Sequence, residues 1–500
     1  MAPNIVWVNL DQLRWDAVGY SGNSIIQTPN IDRLASRGAW FENAYCASPV
    51  CSPARASWFT GLYPHAHQVF TNYGPDRKGV FGCYLPKEIV TIGDVLKKQG
   101  YKCGNVGVWH LGWDELPQHG FTDYWIGYKY RSEEVGDPFF RYLEDLGLSN
   151  PYGKEPQGVF RYGKEMPLGV LTDPRQQRTT WTVDRAIDFL EQFSNQPVQA
   201  EPVQAEPIQA EPGRAEPGRA DPFFLMVGIK DPHPPCIPPQ ELLALYPLDE
   251  LPFPENFLDG LEGKPDYQSK IRCRVPPGSV NPIDFRTVIR YYYALITHVD
   301  REIGRLVEHL EQKGIFENTI FVLNSDHGEM LGNHGFVEKC LMYEESARVP
   351  CLISWPEKIP EKQRITAPLG GVDLVPTLLE LAQAPIPELM DGRSFADAIC
   401  SGVQPASKPI FAEIASDAAV YRGNIVSEQY AAHLMVLDDG WKFVWNRYDD
   451  DELYNLGDDP SEMANLAEDP THENRIEGMK GFIVEMLQNT GPGLYEWCKK

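Results

Sequence analysis

The stretch Asn4-Ile5-Val6-Trp7-Val8-Asn9-Leu10-Asp11-Gln12 indicates the fold of this chain more clearly than any other part of its sequence. Residues 5–10 form a short apolar run, rich in β-branched and aromatic side chains, that is followed by a carboxylate and an amide. Such runs are typical of strands that are buried on both faces of a sheet. Three further runs have the same form: residues 103–109 ahead of His110, residues 223–229 ahead of Asp231-Pro232-His233, and residues 319–324 ahead of Asp326-His327.

Patterns typical of helices lie between these runs. The longest ends at Gly314 and has apolar residues at spacings of three and four: Val288, Tyr292, Leu295, Val299, Ile303, Leu306 and Leu310. Strands that alternate with helices predict an α/β fold with a large, mostly parallel sheet sandwiched by helices. In such sheets ligands bind at the carboxyl ends of the strands. We therefore expect one site to contain the polar residues found there, which are Asp11, His110, His233 and Asp326.

The chain is predicted to divide into a large α/β domain, residues 1–400, and a small C-terminal α+β subdomain, residues 401–500. In the small subdomain, residues 441–446 and 452–456 are expected to pair as antiparallel strands, followed by a helix at 473–489. Residues 198–222 are a five-residue repeat with a proline in every unit. Proline at that frequency prevents regular structure, so we expect a disordered surface insertion there.

The net charge of −25 argues against nucleic acid as a partner, because nucleic-acid binding depends on clustered basic residues. The sequence contains no run of about 20 apolar residues, so we expect no membrane span. Its first apolar run, residues 5–10, is too short for the apolar region of a signal peptide. Ten cysteines are scattered without CxxC pairs, as expected for reduced thiols. These features predict a cytoplasmic protein.

The segment Cys51-Ser52-Pro53-Ala54-Arg55 precedes an apparent helix at 53–60 that stops at Gly61. We expect Ser52 to cap this helix and Pro53 to occupy its first position. Cys51 would then lie at the positive end of a helix, where anions bind, with Arg55 one turn away. An isolated cysteine before an ordinary capped helix would more often be a buried structural residue.

The Cys51-x-Pro53-x-Arg55 pattern resembles the signature of the type I, formylglycine-dependent sulfatases of the alkaline-phosphatase superfamily. Further matches follow in the family's order, from residue 4 to about residue 470: residues 30–35 (NIDRLA), 60–65 (TGLYPH), 109–112 (WHLG), 233–234 (HP), 325–329 (SDHGE), 348–350 (RVP), 452–456 (ELYNL) and 459–460 (DP). A single short signature arises easily by chance, whereas this ordered set does not.

The resemblance implies an alkaline-phosphatase-like mixed sheet and a catalytic role for the domain at residues 1–400. It also implies that a separate maturation enzyme oxidises Cys51 to formylglycine. The hydrate of formylglycine carries two hydroxyl groups, one of which attacks the sulfur of a small anionic sulfate ester. The other hydroxyl then expels sulfate and regenerates the aldehyde, so that sulfate and an alcohol or phenol are released.

The roles of individual residues are likewise implied by the resemblance. The implied ligands of one divalent cation are Asp11, Gln12, modified Cys51, Asp326 and His327. Carboxylate oxygens favour Ca²⁺, while an imidazole ligand keeps Mn²⁺ as an alternative. The implied catalytic residues are Cys51, Arg55, His110, His233 and Lys339, and the implied substrate-binding residue is Asn72.

Three positions bear on which branch of the family this chain resembles. Gln12 stands where many relatives have a second aspartate, Val108 where many have lysine, and His327 where relatives have asparagine or histidine. These differences favour the phosphonate monoester and phosphodiester hydrolase branch, whereas His110 within its WHLG run favours sulfatases. The leading hypothesis is sulfate ester hydrolysis. The alternatives are phosphonate monoester or phosphodiester hydrolysis by the same nucleophile, and a non-catalytic anion-binding protein with an unmodified Cys51.

Overall fold

The computed structural model describes residues 2–72, 84–112, 118–126, 137–152, 160–162, 166–193, 221–271, 274–275, 282–415, 432–447 and 449–491. The repeat at 198–222, which the sequence predicts to be disordered, lies outside these residues except for Asp221 and Pro222.

The strands are β1 Asn4–Asp11, β2 Ala39–Phe41, β3 Ala44–Tyr45, β4 Lys102–Gly107, β5 Asp123–Ile126, β6 Phe160–Tyr162, β7 Met166–Leu168, β8 Phe223–Pro232, β9 Thr319–Ser325, β10 Arg348–Val349, β11 Cys351–Ser354, β12 Gln363–Ile365, β13 Leu369–Gly370, β14 Ile410–Ala415, β15 Ala432–Asp438, β16 Trp441–Asn446 and β17 Glu452–Asn455. The α-helices are α1 Pro29–Ser36, α2 Cys51–Thr60, α3 Pro64–His67, α4 Ile92–Lys98, α5 Pro138–Asp145, α6 Arg178–Leu190, α7 Asp266–Lys270, α8 Pro282–Gln312, α9 Glu344–Ala347, α10 Leu374–Leu381, α11 Ala396–Ser401 and α12 Glu473–Thr490. Short 3₁₀ helices lie at Gly19–Ser21, Pro174–Gln176, Gln240–Leu245, Asn333–Gly335 and Pro470–His472.

The main sheet has the strand order β12-β2-β11-β9-β1-β8-β4-β5 in the described part of the chain. Strands β9, β1, β8, β4 and β5 are parallel to one another, and β11 runs antiparallel to β9. The sheet is therefore mixed and mostly parallel, as predicted. All four apolar runs of the sequence are strands of this parallel core. Two predicted ends are wrong: β4 stops at Gly107, whose φ of +85° ends the regular strand two residues early, and β8 continues three residues beyond Ile229 to Pro232.

Strand β1 shows why the sheet needs helices on both of its faces. Side chains alternate between the two faces of a strand, and β1 is apolar on both. Val6, Val8 and Leu10 pack into one core, which contains α1, α6 and α8. Ile5 and Trp7 pack into a second core on the opposite face, which contains α2, α4 and α10. The sandwich that the sequence predicts is confirmed.

The C-terminal part contains the antiparallel sheet β14-β15-β16-β17. Strands β16 and β17 pair as the sequence predicts, and α12 covers the sheet with Ile483 and Leu487 packed near Leu434 and Phe443. The division into domains at residue 400 stays a prediction, since β14 begins at Ile410. No helix in the described ranges is both long enough and apolar enough to cross a bilayer. The cysteines in these ranges are all free thiols.

Candidate active site

The carboxyl ends of β1 and β9 bring two carboxylates together. Asp11 is the last residue of β1, and Asp326 directly follows β9; both are buried. The parallel ladder continues past the strands, because the Asp326 amide donates to the Leu10 carbonyl at 3.0 Å. The backbone N–H of Gln12 in turn donates to Asp326 Oδ1 at 3.1 Å. The pairing of two strands thus fixes Asp11, Gln12 and Asp326 relative to one another.

Helix α2 places Cys51 beside these carboxylates. The prediction that Ser52 caps a helix beginning at Pro53 is wrong: the helix begins at Cys51, and the cap is Val50, whose carbonyl accepts from the Ala54 amide. Ser52 is not free to cap, since its hydroxyl donates to the His110 carbonyl at 2.7 Å. Cys51 nevertheless lies in the first helical turn, where the amides and the helix dipole favour an anion, as the sequence predicts.

Four buried side chains converge at this point: Asp11, Cys51, Asp326 and His327. Each offers one ligand atom, and these atoms lie within 4.8 Å of one another. Cys51 Sγ is 3.1 Å from His327 Nε2 and 3.8 Å from Asp11 Oδ1. We call this group the Asp–Cys–His cluster. It has the composition and spacing of a metal-binding site.

His327 is oriented by its other ring nitrogen. Nδ1 donates to the Gly328 carbonyl at 2.9 Å, which leaves Nε2 facing the cluster, 3.6 Å from Asp326 Oδ1. A hydrogen bond of this kind commonly fixes a metal-binding histidine. Although burial lowers the pKa of His327, Asp326 and Cys51 raise it to about 9. The direction of this shift shows that the cluster attracts positive charge.

Arg55 lies beneath the cluster with no exposed side-chain surface. Its Nε donates to Asp326 Oδ2 at 3.0 Å, and its Nη2 is 3.4 Å from Asp11 Oδ2. Its Nη1 has no hydrogen-bond partner in the described ranges. A buried guanidinium needs paired charges to be stable, so Arg55 both orients the two carboxylates and keeps a donor for a further anion.

Gln12 and Lys339 are joined although they are 327 positions apart. Lys339 Nζ donates to Gln12 Oε1 at 2.6 Å, while Gln12 Nε2 donates to buried Glu329. An ammonium only donates and a carboxylate only accepts, so the two partners fix the orientation of the Gln12 amide. Burial disfavours the charge on Lys339, but Cys51, Glu338 and Asp11 raise its pKa.

Two histidines complete the surroundings of Cys51. His110, at the end of the β4 run, lies close enough to Cys51 to lower the pKa of its thiol. The His233 amide donates to the Asp11 carbonyl at 3.1 Å, so His233 also lies at the edge of the cluster. Burial, followed by the charges of Lys230 and Lys339, lowers the pKa of His233 well below its ordinary value.

The electrostatic balance at Cys51 favours an anion. Burial and Asp11 both raise the pKa of the Cys51 thiol, but Lys339, His327 and His110 together lower it well below its ordinary value. A negatively charged oxygen in place of this sulfur atom would therefore be stabilised by its surroundings.

The structure brings every predicted site residue into this region. Asn72 accepts from the Ser52 amide at 2.8 Å and is thus linked to the first turn of α2. Two residues that sequence reasoning missed are Glu329, which holds Gln12, and Lys230, whose Nζ is 3.0 Å from His233 Nδ1. A signal existed for both, since Glu329 ends the SDHGE run and Lys230 directly follows an apolar strand run.

Comparisons with known proteins support one family. A family model described as Sulfatase matches residues 3–384, and one described as N-sulphoglucosamine sulphohydrolase, C-terminal, matches residues 332–489. An arylsulfatase of Clostridium perfringens is 28% identical over 99% of this chain and 96% of its own length. The uncharacterized sulfatase YidJ of Escherichia coli is 30% identical over 93% of this chain and 83% of its own length.

Among solved structures, the phosphonate monoester hydrolase of Agrobacterium radiobacter superposes with a TM-score of 0.78 over 98% of this chain and 96% of its own. Because its identity is only 19%, this likeness shows the fold alone. The matches confirm the predicted alkaline-phosphatase-like fold class and the prediction of a sulfuric ester hydrolase, against the non-catalytic alternative. This chain belongs to the sulfatase family.

Proposed function

We propose that this protein hydrolyses a sulfate ester with a formylglycine derived from Cys51 and one divalent cation. The observation that carries the proposal is the Asp–Cys–His cluster, whose four ligand atoms lie within 4.8 Å of one another. A structural cysteine would need neither two carboxylates nor a buried arginine beside it.

The residues present suit a hard divalent cation. Asp11 and Asp326 offer carboxylate oxygens, and His327 offers Nε2, which must give up its proton for a cation to bind. Oxygen ligands favour Ca²⁺ and the imidazole keeps Mn²⁺ as the alternative. Gln12 Oε1 already accepts from Lys339, but an amide oxygen has a second lone pair with which Gln12 would join the ligands. When bound, the cation supplies positive charge to the nucleophile and to the sulfate oxygens.

Cys51 is the proposed nucleophile precursor. One hydroxyl group of the formylglycine hydrate loses its proton and its oxygen bonds to sulfur, while the ester S–O bond breaks and the leaving oxygen gains a proton. The second hydroxyl then loses its proton and re-forms the C=O bond, so that the C–O bond to sulfate breaks and sulfate leaves. Water adds to the aldehyde and restores the hydrate. Because Cys51 is only 1% exposed, we expect the maturation enzyme to oxidise it before the chain has folded.

The surrounding residues have separate proposed roles. Arg55 orients the carboxylates and directs Nη1 towards the charge that develops on the nucleophile. Lys339 and His110 lie near enough to Cys51 to shift its pKa, and we propose that they contact the sulfate. Asn72 contacts the substrate from its position beside Ser52.

Paired turnover of 4-nitrophenyl sulfate and phenyl 4-nitrophenylphosphonate tests the proposal, with chelator, Ca²⁺ or Mn²⁺ added. Mass measurement of the Cys51 peptide should show a loss of roughly 18 Da, as thiol-to-aldehyde oxidation requires. We expect the sulfate to turn over faster, Cys51→Ala to abolish turnover, and the control Cys400→Ala to retain it. An unmodified Cys51 together with full activity would refute the mechanism. Faster phosphonate hydrolysis would replace the sulfate ester by the alternative substrate class and would implicate Gln12 and Val108.

A further inference from the structure

His233 lies beside an ammonium group that the proposed mechanism does not use. Lys230 Nζ is 3.0 Å from His233 Nδ1 and donates to the Pro234 carbonyl at 2.8 Å. This arrangement arises from a β-bulge. Strand β8 pairs Ile229 with Leu10 but Pro232 with Asp11, so Lys230 and Asp231 are two extra residues of β8 with no pairing partner on β1. Bulges of this kind redirect side chains next to active sites.

The hydrogen-bond partners of His233 Nδ1 determine which ring nitrogen carries the proton. An ammonium has three donors and no acceptor, so Nδ1 bonds to Lys230 only through a lone pair. The Pro234 carbonyl, 2.7 Å from Nδ1, would instead require a proton on Nδ1. These two bonds exclude each other. A proton on Nδ1 would face the positive charge of Lys230 at 3.0 Å, whereas an unprotonated Nδ1 lets Lys230 donate both to it and to the Pro234 carbonyl.

We propose that Lys230 is a positioning residue that sets the tautomer of His233, with the ring proton on Nε2. This inference rests on the proposed function. Nε2 is on the edge of the ring opposite Lys230, so His233 donates a hydrogen bond to an oxygen of the ester and keeps its proton. Losing that proton would leave an imidazolate. The proton gained by the leaving oxygen therefore comes from another acid.

Nitrogen NMR of ¹⁵N-histidine-labelled protein tests the tautomer directly, with His233→Gln to assign the signal. In the wild type we expect a protonated Nε2 and an unprotonated Nδ1. Lys230→Met should move the proton to Nδ1, where it bonds to the Pro234 carbonyl. Lys230→Arg should keep the wild-type tautomer, because a guanidinium also only donates. A protonated Nδ1 in the wild type, or an unchanged tautomer in Lys230→Met, would overturn the proposal.

Kinetics give the second readout. With 4-nitrophenyl sulfate, kcat of Lys230→Met should fall roughly 10- to 100-fold, the loss typical when the orienting partner of a functional histidine is removed. Lys230→Arg should recover most of this loss, and the exposed control Lys97→Met should match the wild type. An equal loss in both Lys230 variants would mean that the residue is merely structural.

The two proposals fail in different ways. If the wild type, with Cys51 converted, turned over no sulfate ester, the proposed function would be refuted. The tautomer of His233 would still be read from the NMR spectrum, and a protonated Nδ1 there would refute the role of Lys230 independently.

Discussion

Replacing Arg55 by methionine is expected to destabilise the protein and to impair catalysis through the same two carboxylates. The guanidinium is fully buried and contacts Asp326 at 3.0 Å and Asp11 at 3.4 Å. Methionine fills a similar volume but leaves both carboxylates buried without this positive partner. A lysine at the same position keeps the charge, but a single ammonium does not reproduce the planar group that spans both carboxylates.

The expected magnitude follows from these distances. At an effective dielectric constant of about 20, each attraction amounts to about 5 kcal/mol before the cost of burying the charges is considered. That cost offsets much of the attraction, and breaking a buried ion pair typically destabilises a protein by about 3–5 kcal/mol. We expect Arg55→Met to lose this much in the presence of a chelator. For turnover we expect about a 10²- to 10³-fold loss in kcat, as for removal of one donor to a developing oxyanion.

Urea unfolding with chelator and with saturating Ca²⁺ provides the assay. Added Ca²⁺ should reduce the difference between Arg55→Met and the wild type, because the cation supplies the positive charge that the carboxylates have lost. Arg175→Met, which breaks an exposed pair with Asp173, serves as the control and should change stability little. If Arg55→Met unfolded at the wild-type urea concentration in chelator, the assignment of Arg55 as the counter-charge of the cluster would be refuted.

Three further predictions concern His65, Asn72 and the bound cation. Burial disfavours protonation of His65, but Glu413 and Asp391 raise its pKa in the folded protein. The resulting stabilisation is complete below the pKa of the unfolded state, about 6.5, and is lost as pH rises through the pKa of the folded state. His65→Gln should therefore lower the free energy of unfolding by about 1.5–3 kcal/mol at pH 6 and by less at pH 9. Equal losses at the two pH values in urea titrations would contradict this. Asn72→Ala removes the acceptor of the Ser52 amide and should raise KM for 4-nitrophenyl sulfate; an unchanged KM would exclude a substrate contact. A chelator should lower the thermal midpoint of the wild type but not that of a double variant in which alanine replaces the two cluster aspartates, as differential scanning fluorimetry would show.

The fold was predictable because its strands are recorded in the sequence as local patterns. Except for Asn9, residues 5–10 are apolar and pack into cores on both faces of β1, as expected for a strand between two helical layers. The polar residue after each apolar run then locates the site, because parallel strands end at one edge of the sheet. Asp11 and Asp326 follow directly from this reasoning, without knowledge of any side-chain contact.

The start of α2 could not be predicted in the same way. Serine followed by proline is a strong local signal for a helix cap, yet Ser52 lies inside the helix because its hydroxyl bonds to the His110 carbonyl. That partner is 58 positions away, so a tertiary contact overrides the local preference. The orientation of Gln12 depends similarly on Lys339 and Glu329, neither of which is near it in sequence.

The proposed role of Lys230 depends on one change of register that sequence patterns do not reveal. If β8 had continued to pair with β1 without a bulge, Asp11 would lie opposite Lys230 itself. His233 would then lie beyond the end of β1, and its amide would not reach the Asp11 carbonyl. The bulge shortens this distance and at the same time leaves Lys230 facing His233 Nδ1. The position of a histidine at a strand end therefore does not suffice to predict which ring nitrogen is protonated, because the pairing of the strands decides which charge the ring faces.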